Sequence, residues 1–400
     1  MSQLKPLSIS FIRLYLLALL FFAANSLLTI ILPLQSEAEG IGQAEIGLMM
    51  GAYMLTCMFL RPYAGQLMGK YGPLTVMRGL LLVHVLCLIL YTLSGVEGYI
   101  WLRALQGAGT AFFSMTMQTG IVERLADKDR AQGMSMYTLF TMVPSLFVPI
   151  VAMEVWESGM GWVYTLVVIS IGALTLLVGF NVPLPQETEH KKSYTLTEMF
   201  KSFAMIGKSR PLLISSIVML LGSCIFGATA TFLPLYMVSS GSGSAGLYLM
   251  IQGIVVVGCR FVLRKKIPSD GSWNTLLISS MLLCAAAGSF LLVLMDSIGG
   301  FVYISAVFNG IAVALLYPTL TTYLSFVLPA ESRYVLMGLF MSSYDLGYSL
   351  GGLLMGIVIQ VMSYQAMFVV CTILALAAVL AVWGSKKQME NTPKHSSLSV

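Results

Sequence analysis

Two ionisable side chains stand inside stretches otherwise apolar enough to lie in a bilayer: Arg103 and Asp345. An ionised group at the centre of a membrane helix costs about 2.5–3.5 kcal/mol even on the lenient insertion scale, so such residues point to chemistry. Arg103 falls about seven residues before the middle of its stretch, roughly 10 Å outward of the midplane at 1.5 Å per residue. A guanidinium there can attract a carboxylate. On a helical wheel Gln106, Thr110, Ser114 and Gln118 fall within about 60° of it. A polar stripe this wide would strand donors and acceptors in hydrocarbon if it faced lipid, so it must face protein or water. Either the stripe lines a solute path, or Arg103 snorkels to the surface while the others bond neighbouring helices. Asp345 shares a face with Ser342, Ser349, Gly352 and Gly356. Burial favours the neutral form of a carboxyl, which makes Asp345 a candidate proton carrier. The alternative is a satisfied carboxylate at a helix contact. Gly347/Gly351 and Gly352/Gly356 have the spacing at which helix backbones approach closely.

Weaker polar candidates sit in other apolar runs: Asn25 and Thr29 one turn apart, then Tyr53, Tyr137, Gln252, Ser305, Asn309, Tyr317 and Tyr323. Pro318 frees a backbone carbonyl in the middle of its run. For each of these, lining a cavity competes with packing in a core. His84 is alone in its run and reads as a packed core histidine.

The elements that must position these residues are apolar windows near 11–34, 46–68, 75–94, 99–121, 134–156, 162–180, 212–238, 245–264, 275–296, 299–326, 335–361 and 364–384. Each is about the length that crosses a bilayer as helix. Of 400 residues 58% are hydrophobic and only 10% charged, which excludes a soluble domain, where about 25% charge is usual. The fold class expected is all-α integral membrane with twelve transmembrane helices. Of the 22 Lys and Arg, every one but Arg103 falls at the N-terminus, in alternate loops with their flanking helix ends, or in the tail. The opposite loops carry Glu37, Glu39, Glu45, Glu97, Glu154, Glu157 and Asp296. By the positive-inside rule both termini are cytoplasmic. The first apolar stretch runs on to a proline and is too long for a signal h-region, so it reads as a retained helix.

The chain also repeats itself. Leu32-Pro33-Leu34 recurs as Leu233-Pro234-Leu235, Gly47-Leu48 as Gly246-Leu247, and Arg61 with Gly72 as Arg260 with Gly271. Gln106-Gly107 matches Asn309-Gly310, and Leu125 with Arg130 matches Leu328 with Arg333. The expected organisation is a six-helix bundle at 1–182, a cytoplasmic linker at 183–211, a second bundle at 212–385 and a tail at 386–400.

Local motifs resemble those of the major facilitator superfamily. The stretch Arg61-Pro62-Tyr63-Ala64-Gly65-Gln66-Leu67-Met68-Gly69-Lys70-Tyr71-Gly72 is similar to the family's G-x-L-x-D-[RK]-x-G loop, with Gly69 where an Asp is expected. Arg103 to Gly107 resembles its R-x-x-Q-G motif, while the antiporter signature G-P-x-x-G-G is absent from the fifth span. At finer grain Met50 to Thr56, Thr110 to Met115, Lys266 to Gly271 and Tyr317 to Pro329 resemble the branch that exports opine-type metallophores such as staphylopine. The resemblance implies the major facilitator fold, two six-helix repeats, with spans one, four, seven and ten lining a cavity.

It also implies a secondary active exporter of a small zwitterionic metabolite, working by proton antiport with alternating access in a bacterial cytoplasmic membrane. Cavity candidates are Asn25, Tyr53, Arg103, Gln106, Thr110, Ser114, Gln118, Asn309, Tyr317 and Tyr323, and the proton-coupling candidates are Asp345 and Arg103. Arg61, Gly65, Lys70, Gly72, Arg260, Asp270 and Gly271 are the conformational-loop candidates. A multidrug/proton antiporter or nutrient transporter is the alternative; a non-transporting sensor comes last.

Other chemistry finds no support in the sequence. Gly65 to Lys70 is one residue short of a P-loop and Tyr71 replaces its Ser or Thr. The six cysteines fit neither a disulfide framework nor a zinc site. With three histidines in all, no metal site or cofactor is expected, and a metallophore cargo would leave without its metal. No enzyme activity and no nucleic-acid partner are expected. The expected partners are cargo, protons and the lipid bilayer, and the expected state is a monomer.

Overall fold

The computed structural model describes residues 5–184, 209–263, 271–329 and 333–390. Most of the expected linker, most of the tail and Asp270 lie outside the described residues. Regular structure among the described residues is helical throughout. By internal contacts the chain divides into two units, Met1–Glu39 with Ala52–Leu196, and Gly40–Gly51 with Thr197–Val400.

The helices of the first unit are α1 (Ile9–Ala38), α2 (Gln43–Tyr71), α3 (Pro73–Leu93), α4 (Tyr99–Arg124), α5 (Asp127–Met142), α6 (Val148–Glu157) and α7 (Gly161–Gly179). The first turns of α2, up to Gly51, belong to the second unit. Helices α5 and α6 share one expected span. Pro144 and Pro149 each remove a backbone donor, and the chain between the helices tightens into a single 3₁₀ turn at Val143–Leu146. Phe21 centres the apolar core of this unit, its ring 3.9 Å from that of Phe113 and 4.4 Å from the imidazole of His84. His84 is therefore packed among rings.

In the second unit α8 (Arg210–Ser240), α9 (Ala245–Val262), α10 (Thr275–Val293), α11 (Val302–Val327), α12 (Arg333–Val361) and α13 (Tyr364–Gly384) follow in order. The starts of α9, α10 and α13 are fixed by side-chain oxygens that take up orphan helix donors. Ser244 accepts from the Leu247 amide, Asn274 Oδ1 from Leu277 and Ser363 from Ala366. Among the described residues eleven helical stretches are long and apolar enough to cross a membrane. Helix α4 has the length but too little hydropathy, because it carries the polar stripe.

The internal repeat is visible in backbone geometry. Gly72 and Gly271, matched in sequence, hold φ of 76° and 71°, a left-handed conformation open to glycine. The expected loop from Arg61 is otherwise helical: Arg61, Gly65 and Lys70 lie in the later turns of α2, and Gly72 alone makes the turn into α3. Gly107 and Gly310, also matched, do one job twice. A Cβ at Gly107 would overlap the Tyr53 carbonyl, and one at Gly310 would come within 3.0 Å of the Gln252 carbonyl. Tyr53 and Gln252 stand at the same repeat offset as Arg61 and Arg260. Close helix packing is thus built on equivalent glycines in α4 and α11.

Helix α12 uses its glycines on two faces. Gly347 and Gly351 admit the backbone of α8 at Leu220 and Cys224, while Gly352 and Gly356 admit the first turns of α2 at Gly47 and Gln43. Ser349 adds a hydrogen bond of 2.9 Å to the Gly51 carbonyl.

Candidate functional site

The polar stripe of α4 turns inward in the first unit and meets α1, α2 and α3. Arg103 is 1% exposed, so it does not snorkel. Its Nη1 donates to Gln106 Oε1 at 2.9 Å and its Nη2 to Thr29 Oγ1 at 3.2 Å. The Tyr53 ring covers the guanidinium at 5.4 Å, within the range of a cation–π contact.

An arginine can only donate, and that orders everything downstream. Gln106 must present its oxygen to Arg103, and Tyr91 donates to the same oxygen at 3.2 Å. The Gln106 amide nitrogen then donates to Asn25 Oδ1. Asn25 Nδ2 in turn donates to Tyr53 at 3.1 Å and Thr110 at 3.3 Å. The Thr110 hydroxyl donates to the Gln106 carbonyl at 3.1 Å. That leaves the 2.7 Å contact between the Tyr53 and Thr110 hydroxyls to be donated by Tyr53. The result is a one-way chain of donors that begins at the cation and ends on a backbone carbonyl. Five expected cavity residues, Asn25, Tyr53, Arg103, Gln106 and Thr110, are thus joined in one network. Tyr91 joins it from an apolar run that gave no signal.

Ser114 and Gln118, farther along α4, are half-buried and reach the Tyr137 hydroxyl of α5, with Arg61 of α2 close by. They form a second polar group in the same unit.

In the second unit Asn309 lies in a tightly packed network. Its Nδ2 donates to the Tyr248 hydroxyl at 2.9 Å, and Tyr248 and Ser305 share a 2.8 Å hydrogen bond. Ser305 also donates to the Gly288 carbonyl at 2.8 Å. All three side chains are buried, which ties α9, α10 and α11 together. Tyr248 is missed by sequence reasoning because a tyrosine in an apolar run looks like core. Tyr323 is buried near the end of α11, its ring 4.9 Å from that of Trp273.

Tyr317 stands elsewhere, in a half-buried aromatic group. Its ring is 5.6 Å from Tyr344, which is 6.2 Å from Tyr348. Asp345, 1% exposed, interacts electrostatically with Tyr344. Arg260, expected among the loop residues, lies inside α9 with its guanidinium on the middle of α11: Nε donates to the Ala314 carbonyl at 3.2 Å. An open recess of about 420 Å³ beside the end of α8 is lined by Tyr236, Asp296, Tyr364 and Gln365 among others. Its carboxylate already accepts from Gln365 at 3.1 Å and from Ser242 at 3.4 Å.

Each unit therefore holds an arginine within its helices: Arg103 among hydroxyls, amides and a tyrosine ring, and Arg260 beside Tyr317 and Tyr344. A model of the Major Facilitator Superfamily matches residues 14–296 and again 271–398. The chain belongs to the Major Facilitator Superfamily.

Among curated members of the superfamily, the staphylopine export protein of Staphylococcus aureus (strain Mu50 / ATCC 700699) is 41% identical over 374 residues, 92% of this chain and 94% of that protein. An uncharacterised transporter of the superfamily from Burkholderia mallei (strain SAVP1) is 26% identical over 159 residues, 40% of this chain and 38% of its own length. Solved superfamily structures share the fold at low identity. A nucleoside transporter, NupG, aligns with a TM-score of 0.74 at 14% identity, covering 95% of this chain and 100% of its own. A bacterial homologue of the lysosomal transporter Spinster aligns with a TM-score of 0.76 at 14% identity, covering 96% and 98%. The chain is a multi-pass, all-α membrane protein with the major facilitator fold.

Proposed function

We propose that the chain is a secondary active exporter of an opine-type metallophore, carried without its metal and exchanged for protons. The observation that carries this reading is the match, at 41% identity over 92% of the chain, to the staphylopine export protein. The chemistry of the interior supports it. An opine has carboxylates on either side of a secondary amine, and the first unit supplies a cation, Arg103, bonded to Gln106 and Thr29. Asn25, Tyr53, Gln106 and Thr110 hold that cation in place, and Ser114 and Gln118 offer neutral hydrogen bonds farther along α4. In the second unit Asp345 is the proton carrier, exchanging its proton for the amine of the cargo.

In this reading the halves 1–182 and 212–385 give alternating access, with the end of α2 from Arg61 through Gly65 and Lys70, and the turn glycines Gly72 and Gly271, in the segments that shift. The protein works as a monomer in a bacterial cytoplasmic membrane with both termini inside. A membrane potential supplies about 2.3 kcal/mol per charge per 100 mV, sufficient for uphill export.

Inside-out vesicles test the reading directly. Metal-free staphylopine is expected to accumulate when the lumen is acidic and to stop accumulating when a protonophore is added. Uptake indifferent to the gradient refutes proton coupling. A deletion strain that still releases the opine into its medium refutes the cargo.

A further inference from the structure

Arg260 stands in the sequence beside the basic run Arg264, Lys265 and Lys266, where it reads as one more loop charge. Its side chain does something else. The Nε–Ala314 bond places the guanidinium at the middle of α11, twelve residues from the start of a helix that runs Val302–Val327. At 1.5 Å per residue that is about 18 Å from the helix start.

The carbonyl it meets is a particular one. In a helix the Ala314 carbonyl would accept from the amide of residue 318, and residue 318 is proline, which has no N–H. Arg260 fills the acceptor that Pro318 releases. One nitrogen is spent on seating the side chain. Among the described residues this is the hydrogen bond the guanidinium makes, and its two Nη nitrogens are not enclosed. A half-buried cation is therefore oriented by its rear edge and left with its fork free. Tyr317 and Tyr344 stand close enough to interact with it electrostatically. Arg103 differs: it is enclosed, and both its Nη nitrogens are engaged.

We propose that Arg260 is a carboxylate-binding residue of the second unit, seated by the carbonyl that Pro318 frees and flanked by Tyr317 and Tyr344. With Nε spent on Ala314, the planar guanidinium keeps its Nη1/Nη2 edge, which matches a carboxylate bidentately. This rests on the reading of the cargo as an opine, and it deepens that reading. One carboxylate of the cargo is read by direct hydrogen bonds at Arg260, and the amine lies towards Asp345, which neighbours Tyr344 in α12.

The test uses the full-length protein in lipid nanodiscs, with metal-free staphylopine and a set of analogues in which one carboxylate at a time is amidated. The wild type is expected to bind one amide about 10- to 100-fold more weakly than the parent, the span of one charge-assisted contact. Arg260→Gln is expected to lose the same factor on the parent and nothing further on that amide. Arg260→Lys keeps the charge without the fork and falls between. Pro318→Ala returns a helical donor to Ala314 and is expected to weaken the parent about 3- to 10-fold, because one competing hydrogen bond is worth about 1 kcal/mol. An Arg260→Gln protein that binds staphylopine as the wild type does overturns the proposal. So does one that weakens every analogue equally, which would make Arg260 structural. The amide series on the wild type decides the matter even where Arg260→Gln fails to fold: no selectively weakened amide overturns it. A wild type that binds no opine at all overturns the functional reading, and this inference with it.

Discussion

Replacing Gln106 by leucine isolates what the buried cation of the first unit requires. The side chain accepts from Arg103 at 2.9 Å and from Tyr91 at 3.2 Å, and donates to Asn25. Hydrogen bonds between neutral groups in membrane helices average only about 0.6 kcal/mol, because the separated helices find other partners. A bond to a charged group is worth about 1.5–3 kcal/mol. One charged and two neutral contacts give about 3–4 kcal/mol for Gln106→Leu, most of it from the arginine. At about 3 °C per kcal/mol for a unit of this size, the apparent melting temperature in detergent should fall by about 10 °C.

The double variant separates mechanisms. Arg103→Met with Gln106→Leu removes donor and acceptor together, so no charge is left under-solvated. It should recover about 1.5–3 kcal/mol relative to Gln106→Leu alone. Gln106→Glu is the complementary case. The acceptor for Arg103 and Tyr91 is kept, the donor to Asn25 is lost, and a carboxyl is placed beside the cation. The protein should stay folded and lose most of its export, because the added carboxyl offsets the field of Arg103 on an anionic cargo. A Gln106→Leu protein that melts with the wild type refutes the oriented-acceptor argument. A Gln106→Glu protein exporting at the wild-type rate refutes the claim that Arg103 acts through its charge.

Three further outcomes follow from the same geometry. Gly107→Ala should cost more than 2 kcal/mol, the upper part of the overpacking range, because its Cβ would overlap the Tyr53 carbonyl, whereas Gly79→Ala on open helix surface should gain up to about 1 kcal/mol; thermal melts of both compare like with like. Tyr248→Phe removes the hydroxyl shared by Ser305 and Asn309 and should lower stability by about 1 kcal/mol while leaving cargo affinity unchanged, as measured by melting and by binding in parallel. Asp345→Asn should abolish proton-driven accumulation in inside-out vesicles yet keep cargo exchange at equal pH, and retained accumulation would remove Asp345 from the coupling step.

The first unit was largely legible from its residues. The stripe Arg103, Gln106, Thr110 follows from helical period and from the cost of polar groups in hydrocarbon, while the partners on α1, Asn25 and Thr29, were weak candidates one turn apart until the family resemblance put Asn25 at the cavity. What stayed out of sight was Tyr91. A tyrosine carries enough apolar ring to hide in a hydrophobic run, and only the third dimension shows where its hydroxyl ends. Asn309, which the family resemblance puts at the cavity like Gln106, keeps different company in the second unit: Tyr248 and Ser305 engage its Nδ2, while its Oδ1 is buried without a hydrogen-bond partner among the described residues. Repeats preserve backbone geometry, as Gly72 with Gly271 and Gly107 with Gly310 show, more faithfully than they preserve side-chain work.

Arg260 marks the limit of counting charges by position. Counting assigns a residue to the place of its Cα, yet an arginine reaches several ångströms beyond it, and near a helix end that reach can run into the bundle as easily as out to water. Two signals were present in the sequence: a proline that must leave a carbonyl open, and an arginine with nothing to distinguish it from its basic neighbours. Neither is specific alone. Their meaning lies in the contact between residues 54 apart in the chain, because an open carbonyl in a membrane helix needs a donor and a buried arginine needs acceptors. Each meets the other's need in part, and what is left over among the described residues is the Nη1/Nη2 edge of the guanidinium. A structural requirement of α11 thereby becomes a way of holding a cation ready for an anionic solute.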